Sequence, residues 1–325
     1  MTEERIQLEE PTQATLREAR RLVRRKDRKS LGKFIVEGPQ AVREALKSPG
    51  VVEALFLRWA NVREHLDLLS LGRAAGVPVY GVSEQNLATL SDTVTPQGAI
   101  AVASNIDITL SDLMGTKRKN PAKEKKKHRR KDVSLVVICA QIRDPGNAGT
   151  VIRCADAFGA DAVILSSDSV DVYNPKTVRA SVGSIFHLPI VTGADLSTAI
   201  EACRAAGMQI LATDGDAGTD LTDIASDLER PTAWVMGNEA WGLPHESLEL
   251  ADEAVAVPIY GQAESLNLAT AAAICLYASA SAQRSDNGNG SVPPPAELAT
   301  FGANDAPGAG AEGVQAEPGA DPAAG

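Results

Sequence analysis

The sequence predicts an α/β protein of two unequal strand-and-helix domains. Three observations carry that expectation. Short β-rich runs alternate with amphipathic helical stretches along most of the chain, the pattern of layered α/β domains. A length of 325 residues corresponds to about two domains. Residues 115–132, GTKRKNPAKEKKKHRRKD, form a low-complexity basic block that splits the alternation in two. Hydrophobic residues make up 44%, which allows a buried core and excludes wholesale disorder.

The elements follow in order. Residues 12–29 predict one basic amphipathic helix. Leu16, Ala19, Leu22 and Val23 recur at helical spacing, and Arg17, Arg20, Arg21, Arg24 and Arg25 dominate the other face. Strands are expected at 33–38, 52–58, 77–82 and 98–104, with helices near 39–47, 61–75 and 84–90 between them. In the second half, strands are expected at 134–140, 161–166, 188–192, 209–214, 233–238 and 253–259. Helices are expected at 147–158, 195–206 and 266–282. These strands are almost continuously apolar, as in a mostly parallel sheet covered on both faces. From residue 285 onward the chain is Gly, Pro, Ala, Asp and Glu with almost no large apolar side chains, the composition of a disordered tail. The expected organisation is a first domain at 1–114, a basic linker at 115–132, a second domain at 133–283 and a tail at 284–325.

The formal net charge is −10, which by itself argues against nucleic acid. Its distribution reverses that argument. Residues 1–132 hold 25 Lys and Arg against 17 Asp and Glu, whereas residues 133–325 hold 7 against 25. A basic front on an acidic back restores an anionic polymer as partner. The four cysteines, Cys139, Cys154, Cys203 and Cys275, are scattered without a CxxC pair, as expected of reduced thiols in a cytosolic protein. Met1-Thr2-Glu3-Glu4-Arg5 has no basic-then-apolar pattern, so no secretory signal is expected. No apolar run is long enough to predict a membrane span. The histidines show no metal-ligand spacing, the sequence has neither a Gly-x-Ser-x-Gly elbow nor a P-loop, and no dinucleotide glycine fingerprint follows the strand before Asp144.

Four constellations could carry chemistry. Asp144-Pro145-Gly146-Asn147 follows a strand and opens a helix, with Asn147 a plausible N-cap and Arg153 about one and a half turns in. An ordinary capped helix with a surface arginine accounts for this spacing equally well. Trp234 to Leu243 ends a strand in Gly237-Asn238-Glu239, at the edge where open α/β sheets bind ligands. Val257-Pro258-Ile259-Tyr260-Gly261 ends another strand, and Ser265 and Asn267 precede the last helix, where capping is the plain reading. Together these strand-end loops would build a pocket of backbone amides and carbonyls for a small polar cofactor. Asn174-Pro175-Lys176 through Arg179 places two of the few bases of the acidic half on one helix, where they could face phosphate.

The order DPGNAGTVIRCADAFGAD, NPKTVRASVGSIFHLP, VMGNEAWGL and VPIYGQAESLNLATAAAICLYA resembles the SpoU (TrmH-like) branch of the SPOUT RNA methyltransferases. KFIVEGPQAVREAL resembles the substrate-binding domain that precedes the catalytic domain in that family. The resemblance covers about residues 30–282. It implies an N-terminal α/β substrate-binding domain and a C-terminal trefoil-knotted α/β methyltransferase domain working as a cytoplasmic homodimer. It implies S-adenosylmethionine as methyl donor, a ribose 2′-hydroxyl of RNA as acceptor, and neither metal nor membrane. By position, Arg153, Asn147, Glu239, Ser265 and Asn267 match the family's catalytic set. Leu211, Thr213, Gly215, Gly237, Asn238, Val257, Ile259, Leu266 and Leu268 would hold the cofactor, and Lys33, Lys176 and Arg179 would meet the RNA. Glu239 and Asn147 would orient the Arg153 guanidinium. Ribosomal RNA is the expected substrate. Transfer RNA is the first alternative, and a non-catalytic RNA-binding or ribosome-assembly protein is the second.

Overall fold

The computed structural model describes residues 7–115 and 133–285. The expected linker beyond Gly115 and the expected tail from residue 286 lie outside the described residues. Arg284 and Ser285, assigned to the tail above, continue the last helix.

The chain opens with two helices, α1 (Gln13–Arg21) and α2 (Arg25–Leu31), rather than the single helix expected over 12–29. The break has a tertiary cause. The Arg28 guanidinium donates from Nη1 to the carbonyls of Leu22 and Val23 at 3.0 and 2.8 Å, so the chain turns at the end of α1 around a buried donor. Then follow β1 (Lys33–Glu37), α3 (Pro39–Lys47), β2 (Val52–Arg58) and a 3₁₀ turn, Trp59–His65, leading into α4 (Leu66–Ala74). The helix expected from 61 is therefore 3₁₀ in its first part. Next come β3 (Val79–Val82), α5 (Glu84–Ala88), β4 (Ala99–Ser104) and a short α6 (Leu110–Leu113). The first sheet has the order β1-β4-β2-β3, antiparallel except for the β2–β3 pair.

The second half runs β5 (Leu135–Cys139), α7 (Pro145–Ala157), β6 (Ala162–Ser166), α8 (Pro175–Ser181), β7 (Ile190–Ala194), α9 (Leu196–Ala205) and β8 (Gln209–Thr213). It continues with β9 (Thr219–Asp220), β10 (Thr232–Met236), α10 (His245–Leu248), β11 (Glu253–Ala256) and α11 (Leu268–Ser285). Its sheet is parallel throughout, in the order β7-β6-β5-β10-β8-β11-β9. The return of β10 to the middle, between β5 and β8, brings three strand-end loops side by side. Residues of β5, β6, β8 and β10 alternate between two apolar clusters, one under α7 and α11 and the other under α9, so both faces are covered.

The chain changes sheets earlier than expected. Ile108 already pairs with Val191 of β7, and Leu110, Leu113 and Met114 pack into the α9-side cluster. Residues 108–114 thus pack with the second sheet rather than the first.

The two sheets share a core. Phe34 of β1 lies 4.5 Å, centroid to centroid, from Tyr173 and 6.2 Å from Phe186, and one apolar cluster runs through both halves. The Tyr173 hydroxyl accepts from the backbone of Ile106 and Asp107 and donates to the Asp107 carboxylate. Charged groups reinforce the seam. Arg28 meets Asp171, Arg179 meets Glu37, and His187 stands between Asp156 of α7 and Glu44 of α3 at 2.7 and 3.2 Å.

His187 makes this seam pH-dependent. Burial pushes its pKa down, but hydrogen bonding and charge from Asp156 and then Glu44 outweigh that and raise it above the usual histidine value. A raised folded-state pKa stabilises the fold fully below the unfolded value of about 6.5, and the contribution fades as pH rises through the folded value. A His187→Gln variant should therefore melt below the wild type at about pH 6, with a gap that narrows by about pH 9. Paired thermal melts at the two pH values check this; a gap independent of pH counts against it.

Candidate active site

The loop from β5 into α7 is set by one left-handed residue, Gln141, at φ +55°. Such a backbone is strained for a side-chain-bearing residue and persists only where neighbours hold it. Here the Gln141 N–H donates to Ser166 Oγ at 3.0 Å, and its carbonyl accepts from Asn238 Nδ2 at 2.7 Å. Asn238 is buried, accepts from the Ala240 N–H through Oδ1, and closes a tight turn with Gly242 through two backbone bonds. Gly237 must lack a side chain, because a Cβ there would sit 2.4 Å from the Gly242 carbonyl carbon.

This turn delivers Glu239 to the head of α7. Its carboxylate accepts from the backbone N–H of Arg143 and Asp144, at 3.2 and 3.0 Å, and from Asn147 Nδ2 at 3.2 Å. Burial pushes the Glu239 carboxyl up, but the donors on it, backbone N–H groups and the Asn147 amide, prevail and hold it below the ordinary carboxylate range. Asn147 in turn accepts from Asn267 Nδ2 at 3.0 Å. A run of polar side chains, Asn267–Asn147–Glu239, therefore joins the starts of α11 and α7 to the β10 loop.

Two expectations are corrected at the start of α7. The N-cap is Asp144, whose Oδ1 accepts from the Asn147 N–H at 2.8 Å; Asn147 lies inside the helix, which frees its amide for Glu239 and Asn267. Glu239 and Asn147 do not hold the Arg153 guanidinium, because the loop backbone and the two asparagines already occupy them. Arg153 is exposed and makes no hydrogen bond or ion pair with any described residue. Capping of the last helix does fall to Asn267, whose Oδ1 accepts from the Ala269 N–H.

A cleft of about 710 Å³ opens beside this network, at the C-terminal ends of β8, β10 and β11. Thr213, Gly215, Gly237, Asn238, Val257, Ile259, Leu266 and Leu268 line it, as do Glu239 and Ser265. Leu211 does not; it points into the core of β8 at 3% exposure. Trp234 is core, with its indole N–H on Ser279, whereas Trp241 is 57% exposed on the cleft wall. Of the cleft's acids, sequence reading assigned a role only to Glu239. Asp214, Asp216, Asp220 and Glu264 line the cleft as well, with no Lys, Arg or His among the lining residues. Only the excess of acids in the second half hinted at them.

The three bases expected on RNA are each matched to carboxylates. Lys33 Nζ is 2.6 Å from Glu53 and 3.4 Å from Glu18, Lys176 Nζ is 2.8 Å from Asp144, and Arg179 is 3.2 Å from Glu37. Their charge is compensated within the chain.

Comparison with known proteins decides the family. Residues 134–277 match the SpoU rRNA Methylase family and residues 13–101 the MRM3-like substrate binding domain. The 23S rRNA (guanosine(2553)-2'-O)-methyltransferase RlmP of Bacillus subtilis is 34% identical over 271 residues, spanning 83% of this chain and 98% of that protein. The chain belongs to the SpoU methylase family. Among solved structures, the SpoU methyltransferase AviRb from Streptomyces viridochromogenes in complex with AdoMet aligns with a TM-score of 0.69. It shows 29% identity and covers 85% of this chain and 100% of that one. The AdoMet-bound rRNA methyltransferase from Sinorhizobium meliloti gives a TM-score of 0.66 and 29% identity over 84% and 96% of the two chains. The expected fold class holds: a small α/β substrate-binding domain, then a SpoU-type methyltransferase domain on a parallel sheet.

The cleft fits S-adenosylmethionine, the cofactor of this family. Residues at the ends of β8, β10 and β11 line it, a Cβ at Gly215 would meet open space, and its carboxylates suit a cationic sulfonium. Among the described residues no group of three or more His, Cys, Asp or Glu is placed to hold a metal, and no helix is long and apolar enough to cross a membrane.

Proposed function

We propose that this chain is an S-adenosylmethionine-dependent RNA methyltransferase that methylates a ribose 2′-oxygen of ribosomal RNA. The observation that carries the reading is the Asn267–Asn147–Glu239 run, which fixes the head of the Arg153 helix to the wall of the cleft. Backbone at Thr213, Gly215, Gly237, Val257 and Leu268 would hold the cofactor, which supplies an electrophilic methyl group when bound. The chain itself has to align the attacking oxygen, a contribution worth roughly 7–11 kcal/mol in well-oriented reactions.

The Arg153 guanidinium is a planar fork of N–H donors with no acceptor. Its part is to donate hydrogen bonds to the 2′-oxygen as that oxygen releases its proton to solvent and bonds the methyl carbon. Having no partner among the described residues, it gives up no bond to them to do so. The 2′-hydroxyl as target also separates RNA from DNA. The substrate domain presents the RNA, and the proposed enzyme works as a homodimer in the cytoplasm. Exposed Ile274 and Tyr277 on α11 support a partner copy, and the four free cysteines, none in a disulfide, support a reducing compartment.

The test is a map of 2′-O-methyl groups across ribosomal and transfer RNA from cells with and without the gene. Loss of one ribosomal site is expected. An unchanged map overturns the function, and a lost transfer-RNA site would reassign the substrate.

A further inference from the structure

We propose that the seam between the two domains holds a nucleobase pocket, which takes one base splayed out of the RNA strand near the methylated ribose. This rests on the RNA reading above and adds a binding site to it.

The pocket is a cavity of about 370 Å³ that shares no lining residue with the cofactor cleft. That volume falls within the ~300–1,000 Å³ usual for small-molecule sites. The first domain contributes Gln40, Thr93, Thr95 and Gln97, and the second contributes Arg179 and Val182 from the end of α8. The chemistry of these groups matches a base better than a phosphate. Arg179 is held against Glu37, itself 3% exposed, so its positive charge is compensated while its flat guanidinium is held in place. A held guanidinium plane is a stacking surface for bases. Val182 adds an apolar patch. It sits at φ +51°, strained for a β-branched residue, and remains 37% exposed. The Thr95 hydroxyl and Gln97 amide are exposed and bond to no described residue, which leaves donors and acceptors free for a base edge. Gly38, at φ +97°, leaves room for the Gln97 amide, whose Oε1 would lie 3.1 Å from any Cβ there.

The pocket also lies on the correct side of the chemistry. Gly149 of α7 packs on Thr177, Ala180 and Ser181 of α8, and Asp156 of α7 meets His187 just beyond it. Arg153 is four residues after Gly149 and three before Asp156, so all three share one face of α7. That face is turned toward α8, whose last turn forms the pocket wall. RNA bound at the seam would thus pass Arg153, and single-stranded RNA is recognised through bases splayed from the stack.

Two variants test this, a Thr95→Ala/Gln97→Ala pair and Val182→Gly. The first removes exposed polar groups; the second removes the apolar patch and relieves the left-handed strain, so neither threatens the fold. Filter binding and methyl transfer would use unmodified 23S rRNA transcribed in vitro with a tritium-labelled methyl donor. Both variants should raise the RNA Kd and KM about tenfold, the effect of one or two ordinary hydrogen bonds or an equivalent contact. Their kcat and S-adenosylmethionine affinity should stay at wild-type values. Wild-type RNA binding by either variant overturns the pocket, as does failure of the wild type to bind the RNA. If the wild type binds RNA but transfers no methyl group, the enzymatic reading fails, and the ratio of Kd values still decides the pocket.

Discussion

Replacing Arg153 with alanine is expected to lower kcat for methyl transfer by about 10²–10³-fold, the usual effect of removing one donor from a developing oxyanion. Cofactor affinity should be unchanged, because Arg153 does not line the cleft. The fold should be unchanged too, since the side chain is exposed and bonds to no described residue. Arg153→Lys should recover only part of the rate, because a point charge replaces a planar fork of donors. Single-turnover transfer together with calorimetric cofactor binding separates the two effects. Full activity in Arg153→Ala would remove the proposed role of the residue.

The largest effect on stability is expected at Arg28. This side chain is 4% exposed and makes four hydrogen bonds, two to the end of α1 and two to Asp171 Oδ2, the shorter of them 2.6 Å. Arg28→Ala leaves the Leu22 and Val23 carbonyls without their donor and Asp171 without its counter-ion. Breaking a buried pair in this way costs about 3–5 kcal/mol. Replacing both partners by apolar residues, as in Arg28→Met with Asp171→Leu, should recover only the part due to the uncompensated Asp171 charge, since the Leu22 and Val23 carbonyls still lack their donor. Urea denaturation of the two variants checks the order; equal stability of Arg28→Ala and wild type would show that the pair contributes nothing.

Much of the architecture was legible in the sequence because it is local. The apolar runs of the second half became the six main strands within a few residues of their expected limits, since a strand buried on both faces must be apolar throughout. The cleft was legible for a similar reason: Gly, Asn and Ser after parallel strands mark a ligand edge. What escaped depends on partners distant in sequence. The break between α1 and α2 is decided by Arg28, which also reaches a residue 143 positions away. Asp144 and Asn147 are both good capping residues, and only Glu239, 92 residues beyond Asn147, settles their roles. Leu211 entered the cofactor set by resemblance alone, and its burial in the core keeps it off the cleft wall. Lys33, Lys176 and Arg179 read as free cations because their carboxylates are brought to them only by folding.

The core common to both domains bears on how substrates are selected. Phe34, Tyr173 and Phe186 weld the two sheets together, so opening the seam would expose apolar surface to water. The pocket proposed at the seam would therefore exist before RNA arrives, and binding there would require little ordering of the protein. An RNA that does not match that fixed contour meets a rigid wall instead of an adaptable one. Discrimination then falls on the nucleic acid, which must supply the deformation, and strands already looped or unpaired at the target ribose hold the advantage.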